Sequence, residues 1–276
     1  MKILSCGAGM QSTALALMSC ENKKEIKYKE VPIYDAVIFC DLGSEPIWVY
    51  KQVDFIKNAC EDAEIPFYIL DTHLHQDYLN NFGKRRVVSI PFWSVDENGK
   101  KGKMMRNCTL DYKINEIIKF VKYKLLGYAK YQSVKNKDLK AHEMHLGFSL
   151  EEKHRCKENK HKMFVNKFPL VDMELTRADN YKYILEKWGL DTKASACCFC
   201  PFHTNYFFEY MKDNHKEQYQ SILEFDEMLE WEQPNTKIRS KLYISKSRKR
   251  IKDLSDKDFK DKEVFDYRNK KIWNGF

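Results

Sequence analysis

"KILSCGAGMQSTALALMSC" runs from Lys2 to Cys20, and its reading decides the fold. Ile3–Ser5 is short and apolar, as a buried strand requires, and Ser12–Cys20 reads as a buried helix. Gly7, Ala8 and Gly9 separate them with almost no side chain. Such a turn lets backbone N–H groups at a helix start approach an anion. It equally suits a plain strand-to-helix connection, and both readings stand at this point. The loop is not a Walker A loop, since no Gly-Lys-Ser/Thr follows, and it misses the dinucleotide G-x-G-x-x-G spacing.

The alternation continues downstream. Glu21–Glu30 is a charged connection, and "DAVIFCD" (Asp35–Asp41) is a strand ending in an acid. Pro46 suits a first helical turn, after which Val49, Val53, Ile56 and Cys60 share one face. "IPFYILDT" (Ile65–Thr72) is a third strand. This β-α-β-α-β order predicts an α/β fold, an open and mostly parallel sheet with helices on both faces. From His73 to Asn107 the rhythm breaks, with Gly83, Pro91, Gly99 and Gly102 marking the turns of a lid or hairpin. Leu110, Ile114, Ile117, Ile118, Val121 and Leu125 predict an amphipathic helix stopped at Gly127.

His142–Ser149 reads as another strand and "EEKHRCKENKHK" as a polar loop. Thr176 and Asp179 form the pattern of a capping box, opening a helix to Trp188 that Gly189 closes. Beyond "SACCFCPFH" lies an aromatic-rich helical region from Asn205 to about Trp231, then a basic tail, "KLYISKSRKRIKDL", with a short strand. The predicted division is an α/β domain over 1–175 and a smaller helical, cysteine-containing part over 176–276.

With 276 residues, 43% hydrophobic and 14% aromatic, the chain can bury a core, which excludes global disorder. Its 48 basic against 40 acidic residues leave a net charge of +8, pointing to an anionic substrate, to nucleic acid, or to a solvated lysine-rich surface. The basic stretches Lys84–Arg86, Lys100–Arg106 and Lys246–Arg250 are where phosphates would be met. No signal-peptide pattern opens the sequence, and no run approaches the ~20 apolar residues that span a bilayer. We therefore expect a cytoplasmic chain with no membrane partner, in which nine cysteines are mostly reduced and clustered ones are metal ligands before disulfides.

In an open α/β sheet, ligands sit beyond the carboxyl ends of strands. Three features fall there: Gly7–Thr13, Asp41 and Gly147 onward. Gly7 and Gly9 would let the backbone approach phosphate oxygens, and Ser12 and Thr13 add hydroxyls. Asp41 would accept hydrogen bonds from a ribose or base, or help hold magnesium. The second constellation is Cys197, Cys198, Cys200 and His203. Cys197 and Cys200 have the C-x-x-C spacing that lets two sulfurs reach one metal, and Cys108, at a helix start, is the candidate third ligand. Zinc would be closed by His203 or Cys198; an iron–sulfur cluster on three thiolates would leave one iron open. A structural or redox-active thiol cluster is the alternative.

"GAGMQST", "VIFCDLGSEP", "RNCTLDYKI", "FPLVDMELTRADN" and "SACCFCPFH" occur in an order that resembles the phosphoadenylylsulfate (PAPS) reductase family, in its phage and bacterial branch. That family belongs to the N-type ATP pyrophosphatases, or PP-loop superfamily. The resemblance runs from Met1 to about Trp231, and the later "LYISKSRKR" shares it. It implies an adenine nucleotide alpha hydrolase-like fold of the HUP type. It also implies nucleotide binding by Gly7, Ala8, Gly9, Met10, Gln11, Ser12, Thr13, Asp41, Gly147 and Glu152, with Ser12, Gln11 and Arg155 as candidate catalytic side chains. The implied cofactors are ATP, Mg2+ and either a [4Fe-4S] cluster or Zn2+ on Cys108, Cys197 and Cys200.

The sequence departs from the family's Ser-Gly-Gly-x-Asp-Ser turn. Gly7 replaces the first serine, Ala8 a glycine and Gln11 the aspartate, which removes a negative charge near the expected magnesium. The sequence ends Lys-Ile-Trp-Asn-Gly-Phe, without the family's C-terminal redox cysteine, which argues against true PAPS reduction. Relatives that thiolate tRNA or DNA activate an oxygen as an adenylate and then displace AMP with sulfur. The leading expectation is therefore an ATP-dependent adenylating enzyme, with sulfur insertion into a nucleotide or nucleic acid as its outcome. Its expected partners are an adenine nucleotide, tRNA or DNA, a sulfur-donor protein and a second copy of the chain. The alternatives are a non-catalytic nucleotide- or nucleic-acid-binding module with structural zinc, and a sulfonucleotide reductase drawing its thiol from a partner. The aromatic run Tyr206–Tyr210 reads as a buried helix face or a base-stacking one, and His142, His145, His154 and His161 show no metal-binding spacing.

Overall fold

The computed structural model describes residues 1–84 and 89–262. In chain order these form β1 (Lys2–Cys6), α1 (Met10–Lys24), β2 (Ala36–Asp41), α2 (Ile47–Asp62), β3 (Phe67–Asp71), α3 (Leu74–Asn81), β4 (Trp93–Val95), β5 (Lys101–Lys103) and α4 (Asn115–Phe120). Then follow β6 (His142–Leu146), β7 (Phe164–Lys167), α5 (Pro169–Asp172), α6 (Arg177–Trp188), α7 (Asn205–Asn214), α8 (Lys216–Glu232) and β8 (Lys241–Tyr243). No described helix is long and apolar enough to cross a membrane.

Two interleaved units result. One comprises Met1–Cys40, Ile47–Leu70 and Glu116–Ser195; the other comprises Asp41–Pro46, Asp71–Asn115 and Ala196–Phe276. The expected division at residue 175 therefore differs from what the contacts show. The α6 helix and the residues up to Ser195 belong with the first unit, and the second takes two earlier pieces of chain. A turn-rich stretch such as 71–115 gives no sequence signal of which core it joins.

The first unit is built on a mostly parallel five-stranded sheet in the order β3-β2-β1-β6-β7. The β1 strand pairs in parallel with β2 on one side and β6 on the other, and β6 pairs in parallel with β7. The expected α/β architecture is present. β1, α1, β2, α2 and β3 fall where the apolar runs and glycine punctuation put them. β7 has no counterpart among the expected strands.

Side chains alternate across each strand. Ile3, Ala36, Ile38, Cys40 and Met144 form one buried cluster with Ile117 and Val121 from the helical stretch of residues 115–121. Their strand neighbours Leu4, Cys6, Val37 and Phe39 face the other way and are also buried. Both sheet faces are covered, as parallel sheets require.

The 110–125 segment departs from the expected helical face. Wide five-residue turns, closed by Asn115 N–H to Leu110 O and Leu126 N–H to Val121 O, flank α4. Leu110 is 50% exposed and Ile114 is 37% exposed, whereas Ile117 is only 2% exposed. The strict 3.6-residue register fails because each wide turn rotates the following residues off phase. At α6 the expected capping box is present: the Thr176 side chain accepts from Asp179 N–H, and Asp179 accepts in return. Gly189 closes that helix in the left-handed conformation, as expected. Glu21 of α1 holds α6 through the Tyr183 hydroxyl (2.7 Å), Lys187 Nζ (2.9 Å) and the Trp188 indole N–H (3.2 Å).

The second unit carries an antiparallel three-stranded sheet, β5-β4-β8, and an aromatic core. Phe199 stacks on Phe225 of α8 (4.6 Å between centroids) and on His75 (5.1 Å). Phe92 and Tyr78 complete the cluster. The expected helical region from Asn205 to about Trp231 is present as two helices meeting at His215, and Phe207 and Phe208 of the aromatic run are buried. The 73–107 stretch holds α3 and the β4–β5 hairpin.

Ile117→Ala is expected to cost about 2–5 kcal/mol, whereas Leu110→Ala should stay within about 0.5 kcal/mol. Denaturant unfolding of both variants checks this; equal losses would restore the single-faced helix.

Candidate functional site

The order of the five strands reverses between β1 and β6, and in doubly wound sheets this switch point is where ligands bind. The turn Gly7–Gly9 leaves β1 there, and Gly147 follows the end of β6. Gly9 is the N-cap of α1, where no side chain caps the first turn, and that turn has no acid. The α1 helix thus presents the positive end of its dipole at the switch point, uncancelled by its own sequence. Ala8 sits at φ 50°, in the left-handed region that glycine adopts at less cost. A glycine at this position would relieve it.

Gly147 has a steric reason to be glycine. A Cβ there would lie 2.7 Å from Ser12 N and 2.9 Å from the Gln11 carbonyl carbon, both backbone atoms. At Gly9 a Cβ would meet the Ser195 hydroxyl at 2.6 Å, a side-chain end that can rotate away.

The loop's polar side chains are held within the first unit. Ser12 accepts from Gly7 N–H (3.1 Å) and donates to Gly9 O (3.1 Å), and Thr13 donates to Gly9 O (2.9 Å). These hydroxyls brace the turn. Gln11 donates its side-chain amide to Glu152 (3.0 Å) and to the Ser149 hydroxyl (3.4 Å), and Glu152 pairs with Arg155. Residues far apart in sequence are therefore brought together as Gln11–Glu152–Arg155, with the Arg155 guanidinium over the Phe148 ring at 4.4 Å. Met10 is buried.

Sequence reading missed the strap over this loop. Gln52 of α2 donates to Ala8 O and to Lys193 O (3.2 Å) and accepts from Lys193 N–H (2.6 Å). The Trp48 indole N–H donates to Ala194 O (3.1 Å), so Lys193–Ser195 is fixed along the turn. A glutamine and a tryptophan in an amphipathic helix carry no sequence signal of that task.

The remaining expected residues lie in the second unit. The Asp41 carboxylate accepts from Gly43 N–H (2.8 Å), and its carbonyl accepts from Thr72 N–H and Oγ1 (both 2.9 Å). The cysteine turn is pinned by Phe199 in the core and by Cys198 N–H donating to Ser44 O (2.8 Å). The Cys197 and Cys200 thiols are hydrogen-bonded to each other. That bond from Cys197 is the main cause that lowers Cys200 to about 7; burial opposes it, and Arg106 assists. The same bond and burial raise Cys197. Burial raises Cys198 to about 12.

His203 Nε2 bonds to Cys197 O (2.9 Å), and its ring stacks on Phe207. The Cys108 N–H donates to Ser89 O (2.8 Å). Among the described residues, no three His, Cys, Asp or Glu side chains converge as a metal-binding group.

A buried acid escaped sequence reading. Glu45 is fully enclosed, with Lys113 Nζ at 3.8 Å. Burial raises its carboxyl, Lys113 opposes this, and Asp41 adds repulsion. Its field reaches the thiol pair, raising both Cys197 and Cys200. A single glutamate inside "LGSEPIW" gives no spacing cue.

Among known proteins, no family model matches the chain and no curated protein matches it.

Gly147→Ala is expected to cost about 1–3 kcal/mol, since backbone must shift, and Gly9→Ala less, because only a hydroxyl must rotate. Thermal unfolding ranks the two. Alkylation of Cys200 by iodoacetamide is expected to rise through a midpoint near 7, slow below it as thiol and fast above it as thiolate. Cys197→Ala removes the stabilising bond and should move that midpoint upward; an unchanged midpoint would show that the bond does not set it.

Proposed function

We propose that the chain is a PP-loop adenine-nucleotide-binding enzyme of the HUP type, related to the PAPS reductase family, that adenylates an acceptor with MgATP and releases pyrophosphate. One observation carries this reading: a nearly side-chain-free turn and an uncapped helix start lie at the strand-order reversal of a parallel sheet. Polyphosphate suits that place because N–H groups and the helix dipole favour anions there. The Gly7–Thr13 backbone would take the phosphates. Arg155 would offset charge developing as the acceptor oxygen attacks the α-phosphate and pyrophosphate leaves. Ser12 acts by bracing the turn, and Gln11 by positioning Glu152 and Arg155.

Adenylation converts a poor oxygen leaving group into AMP, which sulfur can displace. Sulfur insertion into a nucleotide or nucleic acid is the proposed outcome: the terminal sulfur of a donor protein's persulfide displaces AMP, and a donor thiol then cleaves the resulting S–S bond, leaving the sulfur on the acceptor and a disulfide on the donor. Cys108, Cys197 and Cys200 would hold an iron–sulfur cluster or a zinc ion, with His203 or Cys198 closing a zinc site.

A non-catalytic nucleotide-binding module is favoured by a separate observation: Gln11 stands where the family has aspartate, and its amide is already engaged by Glu152.

Purified chain with MgATP and candidate acceptors is expected to yield AMP and pyrophosphate. Arg155→Ala should weaken nucleotide binding roughly ten-fold, about 1.4 kcal/mol. Binding without turnover would favour the module, and neither binding nor turnover would overturn both readings.

A further inference from the structure

The second unit brings together two basic stretches that are distant in sequence. In the β5-β4-β8 sheet, Trp93 lies opposite Lys103 on one side and Tyr243 on the other, and Val95 lies opposite Lys101 and Lys241. Opposed residues and those two apart share a face. Trp93, Tyr243, Lys101, Lys103 and Lys241 therefore line the same face, while Leu242 is buried on the other. The three lysines are exposed and both rings are half-buried. Among the described residues, no acid occupies a strand position on that face; the hairpin's two acids, Asp96 and Glu97, are in its turn, and Asp226 and Glu230 are paired with Arg250, whose guanidinium lies 5.0 Å from the Tyr243 ring.

Further cations and a further ring extend the face. Lys103 Nζ lies 5.4 Å from the Trp93 ring centroid and 4.9 Å from that of Phe202, with the Arg106 guanidinium 5.3 Å from Phe202. Arg248 reaches it from the basic tail, 5.1 Å from Trp93, donating to Ser94 O (3.3 Å) and Gly102 O (3.2 Å). Its backbone is in the left-handed region at φ 60°, a strained placement that delivers the side chain to the sheet. The Trp93 indole N–H donates to Pro201 O (2.8 Å), tying this face to the cysteine turn.

We infer that this face binds single-stranded nucleic acid, the lysines and arginines meeting phosphates and the Trp93 and Phe202 rings stacking bases. Flat rings interleaved with cations match a strand that offers a base and a phosphate at each step. A solvated lysine surface requires no rings, and a duplex hides its base faces. The inference goes beyond the nucleotide reading and holds whether or not MgATP is turned over.

Fluorescence anisotropy of a fluorescein-labelled mixed-sequence oligonucleotide of about 20 nucleotides, as DNA and as RNA, tests it with the full chain and no ATP. Single strands are expected to bind more tightly than the matching duplex. Replacing Lys101, Lys103 and Lys241 together by alanine should lower the salt slope by about 2 and weaken binding ten-fold or more. Phe202→Ala should weaken it by roughly ten-fold through lost stacking. Trp93→Phe, which keeps a ring, should bind more nearly as the parent does. Lys23→Ala with Lys24→Ala, at the end of α1, should leave binding unchanged. Equal or tighter duplex binding, no binding at low salt, or an unaffected triple variant would overturn the inference. Because ATP is absent, these outcomes are read apart from any failure of adenylation.

Discussion

The missing methyl group at Gly147 governs how the first unit presents its sheet end. With hydrogen there, the chain leaving β6 passes against the backbone of Gln11 and Ser12 at the start of α1. That closeness puts the following turn beside the loop, so Gln11 reaches Ser149 and Glu152 without the chain between them having to fold back. Ser12 and Thr13 then spend their hydroxyls on the loop's own backbone. Rigidity here comes from hydrogen bonds inside the turn, which leaves the helix dipole as the unbalanced electrostatic feature.

The second unit solves a different problem, the burial of ionisable groups. Enclosing Glu45 costs solvation that Lys113 only partly offsets, so the acid is pushed toward its neutral form. Within one short turn, Cys197 and Cys200 are driven in opposite directions because one donates the hydrogen bond that the other accepts. Two thiols of identical chemistry thus become unequal through a single proton's position.

The parts of the fold legible in the sequence are those where local chemistry and tertiary role agree. β1, α1, β2, α2 and β3 carry apolar runs bounded by Gly, Pro or charge, and the Thr176–Asp179 cap carries its own signature. β7 was not legible: "FVNK" is four residues long, lies at the sheet edge and has too few apolar positions to show a period. The phase of residues 110–125 was hidden because wide turns leave no mark on composition. At the sites, the glycine turn and the C-x-x-C pair were visible from spacing. Glu45, Gln52 and Ser195 were not, since each matters through a neighbour brought from elsewhere in the chain. Of the basic stretches, Lys100–Arg106 and Lys246–Arg250 meet on one sheet, while Arg85 and Arg86 lie outside the described residues.

The interleaving of the units sets a schedule for the chain as it leaves the ribosome. The first sheet cannot close until β6 and β7 have emerged, and α1 waits longer still for α6. The β4–β5 hairpin appears early, yet its third strand, β8, is made only near the end of the described chain. Throughout that interval a strand edge and an aromatic core half stay uncovered, the condition in which nascent chains aggregate or recruit chaperones. Slow translation between β5 and β8 would lengthen that exposure.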